Sequence, residues 1–319
     1  MSRRFLNILV PVVMALVLSP MAANALPPEV LQSVVRIKPD WPQAARGLDA
    51  SGAPRDPQGT GIAVLPGGYI ATNVHVIGKA KKVDVLSEDG HPYAAEIIGL
   101  DLQTDIALLK IAADLPVLKT ATNPQLADPV CAIGNQFGLG LSVTCGVVSA
   151  SGRSGMGFNP VEDFIQTDAA VNPGGSGGAL VDRQGYLLGM VSAIFTKQSD
   201  ADIGINFATS VPLLMRVVED LKSSGRVVRG VAGFKAQALP PQQAASTVGV
   251  MIETVDIRGP AFAAGLEAGD ILHSINDRRL QSLPALEAMM FMFRPGDVIT
   301  LQTKRGAEPR TLTLTLGGG

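Results

Sequence analysis

The chain has 319 residues, a length that suggests about two domains. It is 46% hydrophobic with 35 Gly and 22 Pro, as many short strands and turns require. Aromatic residues make up only 4% and the formal net charge is −2, so the cores must be mostly aliphatic and nothing favours a nucleic-acid partner, which would call for a basic face.

The N-terminus reads as an export signal. Ser2-Arg3-Arg4 gives a positive start, Phe5 to Leu18 is almost wholly apolar, and Ala23-Asn24-Ala25 supplies small residues for cleavage before Leu26. The apolar stretch is short for a membrane span of about 20 residues. A cleavable signal over residues 1–25 is therefore favoured over an uncleaved anchor, and either would deliver the remainder to the periplasm. Residues 26–57 form an N-terminal segment of weak periodicity. Val30 to Ile37 reads as a short strand or helix, and Asp40 to Pro57 as loop.

A first set of strands follows. Gly61 to Leu65 and Tyr69 to Asn73 flank Pro66-Gly67-Gly68, a hairpin signal. Lys82 to Leu86, Ala94 to Leu100 and Ile106 to Ile111 continue the pattern, and this spacing suggests an antiparallel barrel or sandwich. His75 and Asp105 fall at strand ends, where loops carry function on a rigid frame. His91 and His273 stand apart from each other and from the two cysteines, so no zinc-type ligand spacing appears and no metal or cofactor is expected.

A second set of strands is expected near 130–133, 141–150, 164–167, 179–181, 186–194 and 204–208. Cys131 and Cys145 lie on the first two. If those strands pair, the cysteines face each other, and an exported protein allows a disulfide; the alternative is two buried thiols. Between the third and fourth strands lies Asn172-Pro173-Gly174-Gly175-Ser176-Gly177-Gly178. A serine hydroxyl needs a base to take its proton and main-chain N–H groups to hold the oxyanion that forms. A glycine-lined turn can supply such groups from Gly174 and Ser176, with Gly175 between them. Histidine can act as base and then acid, and a carboxylate fixes its tautomer. The order His75, Asp105, Ser176 is that of chymotrypsin-like proteases. In that arrangement the residue six positions before the serine, Ala170, floors the primary pocket, and Ile203 and Ile205 are expected to wall it. An uncharged floor predicts cleavage after small or medium aliphatic residues, because burying an unpaired cation is costly. A helix then closes the unit, with Ser210 as N-cap, Pro212 in the first turn, an apolar face of Leu213, Leu214, Val217, Val218 and Leu221, and Gly225 as stop.

Thr72-Asn73-Val74-His75-Val76, Thr104-Asp105-Ile106-Ala107-Leu108 and the Asn172–Gly178 stretch resemble the three catalytic motifs of the HtrA/Deg proteases. Ala132-Ile133-Gly134-Asn135-Gln136-Phe137-Gly138-Leu139 and Phe164-Ile165-Gln166-Thr167-Asp168-Ala169-Ala170 also resemble family segments, and the resemblance runs from about Gln58 to the C-terminus. It implies a mainly β protein: a chymotrypsin-like double-barrel protease domain over 58–225 and a PDZ domain (α+β) over 229–319. One departure is Gly175, where the family usually has Asn; it keeps the N–H but predicts a looser resting oxyanion hole. The resemblance also implies a homotrimer or higher, for which Trp41 is the one N-terminal aromatic candidate. It further implies a regulatory loop over Ser149 to Pro160, in which Arg153 relays a signal from the neighbouring domain; the alternative for Arg153 is a solvated loop arginine.

In the C-terminal segment, Arg229-Gly230-Val231-Ala232-Gly233-Phe234 resembles a PDZ carboxylate-binding loop, and Gly259 to Leu272 resembles the most recognisable internal motif of these domains. Main-chain N–H groups near Val231, Ala232, Gly233 and Phe234 can capture a peptide C-terminus while a strand edge pairs with its backbone. Ser282 to Phe293 is the expected helical wall of that groove, with Met289, Met290 and Phe293 shaping a side-chain pocket. The sequence therefore reads as an exported serine endopeptidase acting on unfolded or damaged envelope proteins, with C-terminal peptides binding its PDZ domain. Two alternatives stand beside it. One is a processing protease with a dedicated substrate. The other is a non-catalytic chaperone or binding protein, for which Gly175 is the only feature in favour.

Overall fold

The computed structural model describes residues 26–42, 58–194 and 203–318. The export signal expected over 1–25 and most of the loop expected over 40–57 lie outside the described residues. Val30 to Ile37, open between strand and helix in sequence, is both. One helical turn, α1 (Glu29–Gln32), runs into β1 (Val34–Pro39). β1 is the strand that closes the first barrel, and the sequence pattern alone supplies only the other five. Its two faces enter different cores: Val34 points into the core between the barrels, while Val35 and Ile37 point into the first barrel's own. A strand buried on both faces loses the period-two alternation that marks an ordinary one.

The remaining strands of this barrel are β2 (Gly59–Leu65), β3 (Tyr69–Asn73), β4 (Val83–Leu86), β5 (Pro92–Asp101) and β6 (Ile106–Lys110), closed in the order β1-β2-β3-β6-β5-β4. A single helical turn, α2 (Val74–Ile77), follows β3 and carries His75, which the sequence had placed at a strand end. Trp41 is half-buried on its own barrel, where its Nε1–H donates to the Ile77 carbonyl at 2.8 Å.

The second barrel comprises β7 (Pro129–Gly134), β8 (Ser142–Arg153), β9 (Phe164–Thr167), β10 (Ala179–Asp182), β11 (Leu187–Ile194) and β12 (Asn206–Ser210), closed in the order β10-β11-β12-β9-β8-β7. Cys131 and Cys145 are directly opposed across β7 and β8 and are disulfide-bonded. β8 runs three residues further than the sequence pattern suggested. Arg153 therefore ends a strand, paired with Phe164, rather than standing inside a loop.

Helix α3 (Val211–Ser224) begins at Ser210, whose Oγ accepts from the Leu213 N–H at 3.4 Å, and stops at Gly225, which adopts φ 70°. Its buried Leu213, Leu214, Val217, Val218 and Leu221 join Ile62 and Leu108 of one barrel and Ile133 and Met190 of the other in a single core. The helix thus pins the two barrels together, and apolar burial of this kind contributes about 25 cal/mol per Å². Those side chains are nearly all aliphatic, as the aromatic-poor composition required.

The C-terminal domain has a short ribbon of β13 (Gly230–Val231) with β20 (Gly317–Gly318), and a sheet of β14 (Phe234–Ala238), β15 (Val250–Val255), β16 (Ile271–Ile275), β18 (Val298–Arg305) and β19 (Glu308–Thr315), with β17 (Arg278–Arg279) paired to β16. Its helices are α4 (Pro241–Ala244), α5 (Pro260–Ala263) and α6 (Leu283–Phe291). The domain is docked by charge. Asp220 of α3 forms ion pairs with Arg216 at 2.5 Å and Arg294 at 2.9 Å and accepts from the Val228 N–H at 2.8 Å. Arg216 also donates to the carbonyls of Val228 at 2.6 Å and Met292 at 3.1 Å, so one buried arginine ties the linker and the second domain to the helix.

Candidate active site

Asp105 sits just before β6 with φ 58°, in the left-handed region that Asp enters more readily than most side chains. This backbone turn lets Asp105 hold the His75 segment with both main chain and side chain. The Asp105 carbonyl accepts from the Val74 N–H at 3.1 Å and from Asn73 Nδ2 at 3.0 Å. One carboxylate oxygen accepts from the His75 N–H at 2.9 Å, and the other lies 2.6 Å from His75 Nδ1. An ionised carboxylate can only accept, so a neutral ring carries its proton on Nδ1 and presents the Nε2 lone pair outward. His75 is half exposed, with 50% of its side chain accessible, at the cleft between the barrels.

The Asn172–Gly178 turn packs on the ends of β2 and β3, and its glycines are not equivalent. Gly174 has φ 93°, and a Cβ there would lie 2.3 Å from the Asn135 carbonyl oxygen. Gly177 has φ 83° and would place a Cβ 2.0 Å from the Thr60 carbonyl oxygen and 2.5 Å from Thr72 Oγ1. Both positions exclude any other residue. Gly175 is outside the left-handed region, and its Cβ would meet nothing closer than the Asn172 carbonyl oxygen at 3.0 Å. The conformational freedom of Gly175, expected to loosen the loop, is not what shapes it.

The Pro173 carbonyl accepts from the Phe137 N–H at 2.6 Å. In a trans peptide the C=O and the following N–H point to opposite sides. Capture of the Pro173 oxygen therefore turns the Gly174 N–H the other way. Among the described residues neither this N–H nor that of Ser176 has a protein acceptor, so both are available to an oxyanion. Gly175 does not belong with them as a donor, because its N–H is spent on the Asn172 carbonyl at 2.9 Å.

Thr60 is the residue that sequence reasoning passed over. It looks like any β-branched strand residue, yet its Oγ1–H donates to the Gly174 carbonyl at 2.7 Å while Oγ1 accepts from the Asn135 N–H at 2.8 Å. Its own N–H donates to the Ser176 carbonyl at 2.9 Å, and its carbonyl accepts from Thr72 Oγ1 at 2.7 Å. The serine turn is thus bolted to the strand pair that leads into His75. Asn73 Nδ2 adds a second tie across the barrels, to Ser192 Oγ at 3.2 Å. These ties set the Ser176 turn beside the strand that leads into His75 and its partner Asp105.

Ala170 is half-buried beside this turn, and its carbonyl accepts from Thr144 Oγ1 at 2.5 Å. Asn206 Nδ2 donates to the Ala169 carbonyl at 3.0 Å, setting the 203–206 segment alongside. Ile205 is half-buried there, whereas Ile203 is exposed. Among the described residues no group of three or more His, Cys, Asp or Glu side chains is gathered as a metal site.

In the C-terminal domain, Gly233 turns with φ 80° between Ala232, which is buried, and Phe234, which begins β14. The Ala232 and Gly233 carbonyls accept from Ala261 and Asp256, whereas the Ala232 and Gly233 N–H groups donate to no backbone carbonyl among the described residues. Val231 precedes them, exposed, in β13. β14 is an edge strand with α6 beside it. Met289 packs with Met290 and Phe293 against the core of this domain and also lines, with Ala285, Ala288 and Met292, a cavity of about 540 Å³ between the domains. The opposite side of that cavity includes Ser151, Gly152 and Ser154, the residues around Arg153. Arg153 itself is exposed. Two residues on, Gly155 packs against Pro284 at the start of α6, where a Cβ would lie 2.9 Å from the proline ring.

Residues 59–190 match the trypsin-like peptidase domain and residues 201–316 match the PDZ domain. Serine endoprotease DegS of Escherichia coli (strain K12) is 36% identical over 271 residues, covering 81% of this chain and 76% of that protein. A probable periplasmic serine endoprotease, DegP-like, of Chlamydia muridarum is 41% identical over 256 residues, covering 78% of this chain. The chain spans only 51% of that relative's length. Among solved structures, the HtrA-type protease AlgW with tripeptide superposes with a TM-score of 0.73 at 34% identity, covering 91% of this chain and 94% of that one.

Proposed function

The chain belongs to the HtrA/Deg family of serine endoproteases, and from that premise we propose that it hydrolyses peptide bonds in unfolded or damaged envelope proteins with Ser176 as nucleophile. The observation that carries this reading is the double grip of Asp105 on His75 together with the N–H groups of Gly174 and Ser176, which no protein acceptor among the described residues takes. Ser176 Oγ attacks the scissile carbonyl while His75 Nε2 takes its proton. The carbonyl oxygen becomes an anion held by the two N–H groups. Collapse breaks the C–N bond, and His75 returns the proton to the departing amine. Water, deprotonated by His75, then attacks the acyl-serine and restores the hydroxyl.

Ala170 floors the primary pocket and Ile205 flanks it, which fits small or medium aliphatic side chains. The relatives named periplasmic support an exported protein. The exported, oxidising setting suits the Cys131–Cys145 bridge. The protease acts as a homotrimer or larger assembly, as the family resemblance implies.

A C-terminal peptide lies along the edge of β14, its carboxylate on the N–H groups of the Val231–Phe234 turn. The solved HtrA-type protease AlgW with decapeptide, and the same protease with tripeptide, support a peptide-binding role. A second reading, a peptide-switched protease with one dedicated substrate, is favoured by a specific contact. Gly155, beyond Arg153, touches the helix that walls the groove, giving Arg153 a route for relaying occupancy to the active site.

The test is digestion of reduced, alkylated casein by the mature chain and by Ser176→Ala, with and without hydrophobic C-terminal peptides. Serine-dependent cleavage without peptide supports general quality control. Cleavage only with peptide supports the switched reading. Binding of casein without cleavage in any condition refutes both and leaves a chaperone.

A further inference from the structure

We infer that the side chain of Gln136 is a positioning residue that sets the oxyanion hole and the primary pocket together. The inference rests on the catalytic reading of Ser176 given above. Gln136 opens the turn between β7 and β8 and is 92% removed from solvent, with 8% of its surface exposed. A glutamine so buried must place both ends of its carboxamide, since an unmet buried polar group is costly.

The Oε1 of Gln136 accepts from Asn172 Nδ2 at 2.8 Å. Its Nε2 donates to the Ala170 carbonyl at 3.3 Å and reaches Thr144 Oγ1 at 3.5 Å. The orientation is dictated by chemistry, because a carbonyl can only accept. The next residue, Phe137, donates its N–H to Pro173. Two adjacent residues of one turn therefore fix Ala170, Asn172 and Pro173, the pocket floor and the two residues that lead into Gly174. Phe137 aims the Gly174 N–H, and Gln136 fixes the segment from which that peptide springs.

Gly175 makes this support matter more. With no side chain there, the flank of the turn is filled from outside. A Cβ at Gly175 would lie 3.2 Å from Val171 Cγ1 and 3.8 Å from Gln136 Cγ. Gln136 thus braces a turn whose own central residue contributes no packing.

Two variants separate positioning from plain core packing. Gln136→Met keeps the length and loses both hydrogen-bonding ends. Gln136→Glu keeps the acceptor for Asn172 but, while ionised, sets a negative oxygen against the Ala170 carbonyl. Protonation of that carboxyl restores a donor. Peptide hydrolysis, Ser176 labelling by a fluorophosphonate and thermal melting are measured on the full mature chain.

For Gln136→Met, kcat and the labelling rate are expected to fall together by about 10- to 100-fold, below the loss of a whole oxyanion donor, with the melting temperature within a few degrees of wild type. For Gln136→Glu, the ratio of variant to wild-type kcat is expected to rise as pH falls from 8 to 6. Equal kcat for wild type and a folded Gln136→Met, or a pH-independent ratio for Gln136→Glu, overturns the inference. Should Gln136→Met fail to fold, the pH ratio of Gln136→Glu decides. A wild-type chain that resists the fluorophosphonate even with a hydrophobic C-terminal peptide present overturns the nucleophile assignment first, and this inference with it.

Discussion

Replacing Thr60 with valine removes one hydroxyl and keeps the shape of the strand. That hydroxyl serves two partners: it accepts from the Asn135 N–H and donates to the Gly174 carbonyl. Asn135 is buried, so its N–H is stranded, at a penalty of about 1–3 kcal/mol. Gly174 is only half-buried, so its carbonyl recovers some hydration and the loss there is nearer the net value of an ordinary bond, about 0.5–1.5 kcal/mol. Together these give about 1.5–4.5 kcal/mol, which for a chain of 319 residues lowers the melting temperature by about 2–7 °C. The catalytic effect follows from the same atoms. Once its oxygen is released, the Gly174–Gly175 peptide can rotate, and the Gly175 N–H that bonds Asn172 turns with it. Thr60→Ser is the control, since it keeps both bonds and loses only a methyl. Melting by circular dichroism and hydrolysis of an aliphatic peptide, normalised to fluorophosphonate-titrated sites, measure the two effects. Equal melting and equal kcat for Thr60→Val and Thr60→Ser would refute the staple.

Two further outcomes are expected. Gly174→Ala should abolish hydrolysis, because a Cβ at φ 93° and 2.3 Å from the Asn135 oxygen cannot be accommodated, whereas Gly175→Ala should retain most activity; the reverse ranking in a casein assay would contradict the glycine assignments. The Asp220 carboxyl should give an acid-dependent stability: burial raises its pKa, but the hydrogen bonds from Arg216, the Val228 N–H and Arg294 outweigh that and leave it below 3.8. The unfolded chain then binds the proton more readily than the native one, so this stabilisation is complete above roughly pH 5 and drains away as pH falls through the native value. Urea unfolding from pH 7 to 3 should be less pH-dependent for Asp220→Asn than for wild type, and identical slopes would show that the cluster contributes nothing.

The candidate catalytic motifs were legible because each puts a chemically distinctive residue in a short local signature. His75, Asp105 and Ser176 need only be read with their neighbours. What held them in place was not legible, because it is spread across the chain. Thr60 meets Gly174 over 114 positions, and nothing about a threonine in a strand announces that contact. The four glycines around Ser176 look alike in sequence. Only the approach of Asn135, Thr60 and Thr72 separates the obligatory Gly174 and Gly177 from Gly175. β1 was ambiguous for a related reason, since its faces belong to two cores and its alternation is erased. α3 was readable to within a residue at its start, because Ser210, Pro212 and Gly225 mark its ends locally. The face that docks the second domain was not, for Arg216 and Asp220 look like an ordinary i,i+4 pair until Arg294 arrives from 74 positions away.

That docking constrains how the proposed peptide switch can work. Driving an equilibrium from 1:99 to 99:1 takes about 5.5 kcal/mol of differential binding. Separating Asp220 from Arg216 and Arg294 would strand buried charge, at about 3–5 kcal/mol. A peptide that had to break this cluster would spend most of its differential affinity before reaching the active site. The cheaper route leaves the cluster closed and uses the other end of α6. There Pro284 meets Gly155, and Ala285 faces Gly152 and Ser154 across an open cavity rather than through a packed core. Small shifts of the helix can be taken up there without exposing new apolar surface. The cluster then acts as the fixed pivot, and the start of α6 as the moving end. On this argument Pro284→Gly should weaken peptide activation of casein cleavage while leaving peptide affinity unchanged. Isothermal titration beside the cleavage assay measures both, and equal loss of affinity and activation would place the pivot elsewhere.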